Sequence, residues 1–322
     1  MTRNISLDTI RAAATRIYGV AARTPLVRLD PVSRDQPQIF LKLEVFQPIG
    51  SFKIRGAMNA VSRLNAQQLS GGVWTVSAGN AAQGVALAAR EAGARASVMV
   101  METAPAAKLS AIERLGAKIV KATYEECWRT VESHASDRME GRLVHPFDDD
   151  DFISGNGTAA LEILEDLPDV DAVIAPIGGG GLLAGLGVAL KALRPGVKVY
   201  AAEPETAAPF AASLKANAPM RFEGWTASFV DGAGGRSVLP SMWPLLSPFV
   251  SESVVVSLAE AADAMKFTAE RCHVIAEGAS ACAIAAARSP HLAKAGHKKI
   301  VAVVSGGNID LSRFASLTGA CG

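Results

Sequence analysis

The chain has 322 residues, 49% of them hydrophobic, which is enough for a large folded core and excludes a disordered protein. Its 32 basic and 31 acidic residues give a net charge of +1, so neither nucleic acid nor a membrane surface is favoured as a partner. Four cysteines without paired spacing, and a first segment unlike a signal peptide, predict neither a zinc site nor a disulfide framework but a reducing, cytoplasmic setting.

Predicted strands and helices alternate along the chain, which indicates an α/β fold with parallel sheets covered on both faces. After a helix that starts near Lys53, strands are predicted at 73–77, 96–101, 117–122, 142–147, 171–177, 198–204 and 298–307. Helices are predicted at 81–93, 105–116, 124–139 and 157–167. We expect residues 1–64 and 146–322 to form a large domain, and residues 65–145 a smaller α/β domain inserted into it.

One uncharged stretch, residues 172–190, is almost long enough to span a membrane. It contains a proline and four consecutive glycines, which are poor residues for a continuous helix. We therefore predict a buried strand, a glycine loop and a buried helix in this stretch.

Three strand-to-helix loops carry candidate binding groups, and ligands of open α/β sheets bind at such loops. "PIGGGGLLAG" (176–185) can direct backbone N–H groups and a helix N-terminus at a phosphate. "SAGNAAQG" (77–84) suits a carboxylate, and the serine of "VVSGGNID" (303–310) could bind a ring nitrogen. Taken singly, the last two loops could equally hold ordinary helix caps.

Lys53 lies in the apolar context "GSFKIRGA" (50–57). A lysine shielded from water has a lowered pKa, and its neutral amine can attack a carbonyl. Alone, it could be a lysine whose head reaches solvent. With a phosphate loop, an amide loop and a strand-end serine, however, it points to a carbonyl cofactor that has a phosphate and a ring nitrogen, which describes pyridoxal 5′-phosphate.

The chain closely resembles the fold-type II (tryptophan synthase β-like) pyridoxal-phosphate enzymes, in the family of threonine/serine dehydratases and serine racemases. The matching motifs occur in the family's order over about nine-tenths of the chain: "KLEVFQPIGSFKIRGA", "SAGNAAQG", "HPFDDDDFISGNGT", "PIGGGGLLAG", "AAEPE", "VDGA" and "SGGNID". The resemblance implies two open parallel-sheet α/β domains, with the cofactor between them and the smaller domain mobile. It also implies a homodimer or homotetramer.

The resemblance assigns roles to individual residues. Lys53 would be the catalytic Schiff-base lysine, and Phe52 would lie along one face of the ring. The remaining cofactor-binding residues would be Asn80, Gly178, Gly179, Gly180, Gly181, Leu182, Gly232 and Ser305. The substrate carboxylate would be bound by Ser77, Ala78, Gly79, Asn80 and Ala81.

The activity that the resemblance implies is the dehydration of an L-β-hydroxy amino acid (threonine, serine or a bulkier analogue such as 3-phenylserine) to a 2-oxo acid and ammonia. Lys53 would remove the α-proton. Ser305 would face the ring nitrogen and leave it largely unprotonated, which suits rapid loss of a β-leaving group. No C-terminal regulatory domain is expected after "SGGNID".

Some positions depart from the family pattern and bear on the alternatives. Racemases carry a serine where this chain has Ala78, so we expect no efficient racemisation. Ala81 replaces a common histidine, which could widen the pocket for a substrate such as 3-phenylserine, unless the neighbouring residues repack. Ile54 stands where β-replacement synthases usually have an asparagine, which favours a dehydratase over a β-replacement synthase. A non-catalytic cofactor-binding protein is the least favoured alternative.

Metal-activated relatives use three positions that here are Glu203, Ala207 and Pro209. Proline cannot supply a carboxylate oxygen, so a standard magnesium or calcium site would lack a ligand. We therefore predict no metal site.

Overall fold

The computed structural model describes residues 3–29 and 37–319, and Cys321 lies outside them. The described strands form two sheets. The six-stranded sheet has the order β1–β2–β10–β7–β8–β9. Its strands are β1 (Leu26–Arg28), β2 (Gln38–Leu43), β7 (Ala172–Pro176), β8 (Lys198–Pro204), β9 (Val250–Val256) and β10 (Lys299–Val304). The four-stranded sheet has the order β5–β4–β3–β6. Its strands are β3 (Val73–Val76), β4 (Ala96–Met101), β5 (Lys118–Ala122) and β6 (Arg142–Leu143).

Helices cover both sheets. In chain order they are α1 (Leu7–Ile17), α2 (Lys53–Ser62), α3 (Ala66–Ser70), α4 (Asn80–Glu91), α5 (Ala106–Arg114), α6 (Tyr124–Ser133), α7 (Asp150–Asp166), α8 (Gly181–Leu193), α9 (Pro209–Ala216), α10 (Trp243–Leu246), α11 (Leu258–Cys272), α12 (Gly278–Arg288), α13 (Pro290–Lys294) and α14 (Leu311–Thr318). A short 3-10 helix spans Glu44–Phe46.

The predicted α/β class with two parallel-strand sheets is confirmed. All described strand pairs are parallel except β1–β2, which is antiparallel. Every residue of β7 is buried, as are all but the first of β10, because helices cover both faces of these central strands. The uncharged stretch is strand β7, a loop and helix α8, as predicted. No helix among the described residues is both long and apolar enough to cross a membrane.

The bounds of two predicted helices differ from the structure by more than two residues. Helix α7 begins at Asp150 rather than 157, because the Asp149 side chain accepts the backbone N–H of Phe152 and caps an earlier turn. Helix α6 ends at Ser133 rather than 139, because His134 takes the left-handed conformation with a φ of 57°. The predicted strand at 142–147 is limited to the two residues of β6.

Helices α7 and α8 lie against each other with their backbones almost in contact. A Cβ placed on Gly185 would lie 2.5 Å from the carbonyl oxygen of Ile153, and one on Gly157 would lie 2.9 Å from the carbonyl oxygen of Gly185. Glycine at both positions thus allows α8, which follows the glycine loop, to pack closely against α7.

Candidate active site

A cavity of about 390 Å³ opens where strands of both sheets end, and we call it the central cavity. All of the site residues predicted from the sequence line it: Phe52, Lys53, Ser77, Ala78, Gly79, Asn80, Ala81, Gly178, Gly179, Gly180, Gly181, Leu182, Gly232 and Ser305. The structure therefore brings together residues that are separated by up to about 250 positions in the chain. Their individual roles stay predictions.

Lys53 is the first residue of α2, and its position is fixed from two sides. The backbone N–H of Phe52 donates to the carbonyl oxygen of Ser305 at 2.9 Å, which joins the start of α2 to the end of β10. The Lys53 Nζ donates to the carbonyl oxygen of Pro146 at 2.6 Å and lies 5.1 Å from the centre of the Phe52 ring. The amine thus points into the central cavity from a rigid helix start.

The surroundings of the Lys53 amine favour its neutral form. Desolvation lowers the pKa of Lys53 to about 8, although the nearby Glu277 carboxylate raises it in part. Since a neutral amine is the nucleophilic and basic form of lysine, this environment prepares Lys53 for attack on a carbonyl or for proton abstraction.

The reactivity of Lys53 should follow this lowered pKa. In the ligand-free protein, its modification by an amine-reactive reagent is expected to rise with pH and to reach half its maximum near pH 8. Peptide mapping by mass spectrometry measures this directly. Glu277→Gln should move the midpoint lower, because it removes a carboxylate that stabilises the charged amine. A midpoint near pH 10, the value of an ordinary lysine, would contradict the description of the site.

The glycine loop between β7 and α8 has no room for side chains. A Cβ on Gly179 would lie 2.1 Å from the ring of Phe147, and Gly180 has a φ of +90°, which favours glycine. The first N–H groups of the 13-residue helix α8 have no partners within the helix, and they carry the positive end of its dipole. The loop is therefore shaped for close approach of an anion such as phosphate.

Asn80 is held by two side chains that the sequence analysis did not single out. Its Nδ2 donates to Oε1 of Glu277 at 2.9 Å, and its Oδ1 accepts from Nδ2 of Asn308 at 2.7 Å. Burial raises the pKa of Glu277 to about 7. Asn308 belongs to the "SGGNID" motif, whereas Glu277 precedes an alanine-rich helix and carries no signal of its own.

Part of the lining of the central cavity is apolar. Met101 and Trp128 line it together with Val131 and the buried Ala81. Lys108 and Asp231 also line the cavity, and their partly exposed side chains form an ion pair with each other. The space therefore suits a neutral group rather than a second carboxylate.

Glu203, the acid of the "AAEPE" motif, is turned towards the protein. Its carboxylate accepts the backbone N–H groups of Phe210 and Ala211, both at 2.8 Å, and the hydroxyl of Ser253 at 2.6 Å. Burial raises its pKa to about 7, although these hydrogen bonds oppose the increase. Glu203 therefore stabilises the start of α9, and the predicted lack of a metal site stays a prediction.

Comparisons with known proteins show the family to which the chain belongs. The family model for pyridoxal-phosphate dependent enzymes matches residues 17–306. L-threonine ammonia-lyase from Thermotoga maritima is 38% identical over 311 residues, which cover 96% of this chain and 77% of that protein. Serine racemase from Oryza sativa subsp. indica is 38% identical over 314 residues, 95% of this chain and 91% of that protein. The structure of maize serine racemase matches with a TM-score of 0.90 and 34% sequence identity. This match covers 98% of this chain and 97% of the maize chain.

Proposed function

We propose a function for this chain, which belongs to the family of pyridoxal-phosphate dependent enzymes, as its motifs predicted. The proposed function is that of an ammonia-lyase that removes water from a bulky L-β-hydroxy amino acid. The class of activity, a pyridoxal-phosphate-dependent lyase, is supported by its ammonia-lyase relatives. The single observation that carries the finer proposal is the apolar part of the lining of the central cavity, formed by Met101, Trp128 and Val131 in a cavity that Ala81 also lines. The favoured substrate is 3-phenylserine, and the products are a 2-oxo acid and ammonia.

The residues of the central cavity fit the cofactor. The glycine loop and the start of α8 would bind its phosphate, and Ser305 would face the ring nitrogen. Asn80 would hold the ring hydroxyl, while Phe52 and Gly232 would lie along the ring. Bound there, pyridoxal phosphate supplies a carbonyl group and a ring that accepts electron density.

The chain's own residues would then position the substrate and move a proton. N–H groups of the Ser77–Ala81 loop, at the start of the 12-residue helix α4, would bind the substrate carboxylate. The neutral amine of Lys53 would remove the α-proton as general base. The resulting ammonium group could return this proton to the departing β-hydroxyl, which leaves as water. Hydrolysis of the remaining unsaturated amine gives the 2-oxo acid and ammonia.

Serine racemases are among the relatives, so racemisation is the nearest alternative. The resemblance implies that racemases use a serine on the opposite face of the site as a second proton-exchanging group. This chain has Ala78 at the position of that serine. Ala78 lines the central cavity, but its methyl group cannot exchange a proton. This position favours the lyase.

We also propose that residues 65–145 form the small mobile domain. All strands of the four-stranded sheet lie within this range. The guanidinium of Arg236 stacks 4.5 Å from the Tyr124 ring and 4.1 Å from the Trp225 ring, which joins α6 to the large domain. Together with the Lys108–Asp231 ion pair, this contact would hold the two domains against each other. A homodimer or homotetramer and a cytoplasmic location stay predictions.

Substrate preference tests the role of Ala81. The wild-type protein is expected to have a higher kcat/KM for L-threo-3-phenylserine than for L-threonine or L-serine. Ala81→His should lower the phenylserine-to-threonine ratio of kcat/KM by about 10- to 100-fold, because an imidazole would occupy the space of the phenyl group. Release of 2-oxo acid measures each rate.

Ala81→Gly is the matched control, since it keeps the space open and should preserve the preference for phenylserine. L-threo-3-hydroxyaspartate should be a poor substrate, because burying its second carboxylate against Met101, Trp128 and Val131 would cost free energy. Preference of the wild type for threonine or serine would exclude the bulky substrate and leave a threonine or serine dehydratase.

A further inference from the structure

Three aromatic side chains among the described residues line the central cavity, and two of them have an evident use. The Phe52 ring lies 5.1 Å from the Nζ of Lys53, beside the position proposed for the cofactor. Phe147 covers the glycine loop, because a Cβ on Gly179 would lie 2.1 Å from its ring. The third is Trp128 of α6, and no step of the proposed reaction uses it.

The polar atom of the Trp128 side chain is bonded outside the cavity. Its Nε1 donates to Oε1 of Glu132 at 2.8 Å, about one helical turn further along α6. Glu132 is exposed and is not among the residues that line the central cavity. Because an indole has a single hydrogen-bond donor and this one is already used, the indole offers the cavity the carbon surface of its two rings.

Trp128 belongs to the same part of the fold as the loop proposed to bind the substrate carboxylate. That loop, Ser77–Ala81, follows β3, and the N–H of Ser77 donates to the carbonyl oxygen of Met99 in β4 at 3.1 Å. Helix α6 packs against both β3 and β4. Only the α- and β-carbons separate the carboxylate of an amino acid from its β-substituent. A substrate held by this loop would therefore have its substituent in the part of the cavity that the four-stranded sheet and its helices supply.

We propose that Trp128 is a specificity-determining residue whose indole stacks on an aromatic β-substituent of the substrate. Because it concerns the substrate of the proposed lyase, the inference rests on the proposed function. An apolar lining accepts any bulky neutral substituent, whereas two aromatic rings attract each other by more than their buried area alone explains. Trp128 would therefore narrow the substrate class from bulky to aromatic β-hydroxy amino acids.

The test measures, by titration calorimetry, how the intact protein loaded with pyridoxal phosphate binds amino acids that have no β-hydroxyl to lose. L-Phenylalanine has an aromatic ring, L-cyclohexylalanine has a saturated ring of similar size, and L-alanine has no ring. Trp128→Leu is expected to lower the ratio of the association constants for phenylalanine and cyclohexylalanine by about two- to tenfold, the equilibrium effect of one aromatic pair. Trp128→Phe keeps an aromatic ring and should retain most of the wild-type ratio. The affinity for alanine should be the same in all of these proteins.

Trp243→Leu is the matched control. Trp243 is also a half-buried helical tryptophan, with its ring 6.0 Å from that of Phe210, but it does not line the central cavity. This variant should leave the ratio unchanged. An unchanged ratio in Trp128→Leu, or a wild-type protein that binds neither of the two ring-bearing amino acids, would overturn the inference. If Trp128→Leu does not fold, Trp128→Met is a second non-aromatic replacement, and a wild-type ratio there would likewise overturn it.

The outcome separates this inference from the proposed function. Release of ammonia from L-threo-3-phenylserine by the wild-type protein reports the proposed lyase, whereas the ratio of association constants requires no reaction. If ammonia is released and the ratio is unchanged in Trp128→Leu, only the role of Trp128 fails. If the ratio falls in Trp128→Leu but the wild type releases no ammonia, Trp128 binds the aromatic ring and the lyase proposal fails.

Discussion

Replacing Lys53 with alanine is expected to lower the rate of ammonia release by at least about 10³-fold, because the variant lacks the amine that we propose both captures the cofactor and acts as the general base. The fold should be retained, since among the described residues the Lys53 side chain has one hydrogen bond, to the carbonyl oxygen of Pro146, and both residues line the central cavity. The measurement compares steady-state rates for the favoured substrate, with the far-ultraviolet circular dichroism of both proteins as a check on folding.

Lys191→Ala is the matched control for this experiment. Lys191 lies in the last turn of α8 and is exposed, so its removal should leave the rate unchanged. A Lys53→Ala protein that retains more than about a tenth of the wild-type rate would place the essential base elsewhere in the central cavity, since loss of a general base costs 10²-fold or more.

Replacing Arg55 with methionine is expected to cost about 3–5 kcal/mol of folding free energy, the usual penalty for breaking a buried ion pair by removing one partner. Arg55 is fully buried and donates to Glu44 at 2.7 Å and to Glu162 at 2.6 Å. Lys42 contributes a second buried cation, 2.6 Å from Glu162. Without Arg55, one cation would remain beside two buried carboxylates.

The pKa of Glu162 shows how strongly the buried cations stabilise its ionised form. Burial alone would raise the pKa, but hydrogen bonds and charges from Arg55 and Lys42 lower it to about 2. Loss of Arg55 would therefore leave a carboxylate that is costly both to ionise and to bury. Because Arg55 lies two residues after Lys53, the same change should also loosen the start of α2.

Urea unfolding followed by circular dichroism measures the loss, and Arg63→Met serves as the control. Arg63 pairs with Asp151 at 2.8 Å, but both side chains are about 40–45% exposed, so the expected cost is below about 1 kcal/mol. Equal losses in the two variants would contradict a special role for the buried cluster.

The sequence predicted those parts of the fold whose signals are local. Central strands of a parallel sheet are buried on both faces, so β7 and β10 appear as apolar runs, and the glycine loop after β7 is recognisable by itself. The start of α2 at Lys53 was also predicted correctly. Helix α12 was not, because its alanine-rich surface is buried on nearly every side and lacks the polar–apolar alternation of a surface helix.

The site residues that the sequence analysis did not predict are those that meet through contacts between distant parts of the chain. Glu277 meets Asn80 across 197 positions, and Lys108 meets Asp231 across 123. No local pattern reports such contacts. The apolar context of "GSFKIRGA" drew attention to Lys53, whereas the structure buries Arg55 more completely, because two distant carboxylates compensate its charge.

The central claim is that the chain releases ammonia from a bulky β-hydroxy amino acid at the Lys53 site. It is tested most directly by incubating purified protein, loaded with pyridoxal phosphate, with L-threo-3-phenylserine, L-threonine and L-serine, and by quantifying ammonia and 2-oxo acid. The account predicts that the wild-type protein releases equal amounts of the two products and releases them fastest from phenylserine. The Lys53→Ala variant should release neither product. Cofactor bound through Lys53 with no ammonia from any of the three substrates would contradict it and would favour β-replacement chemistry.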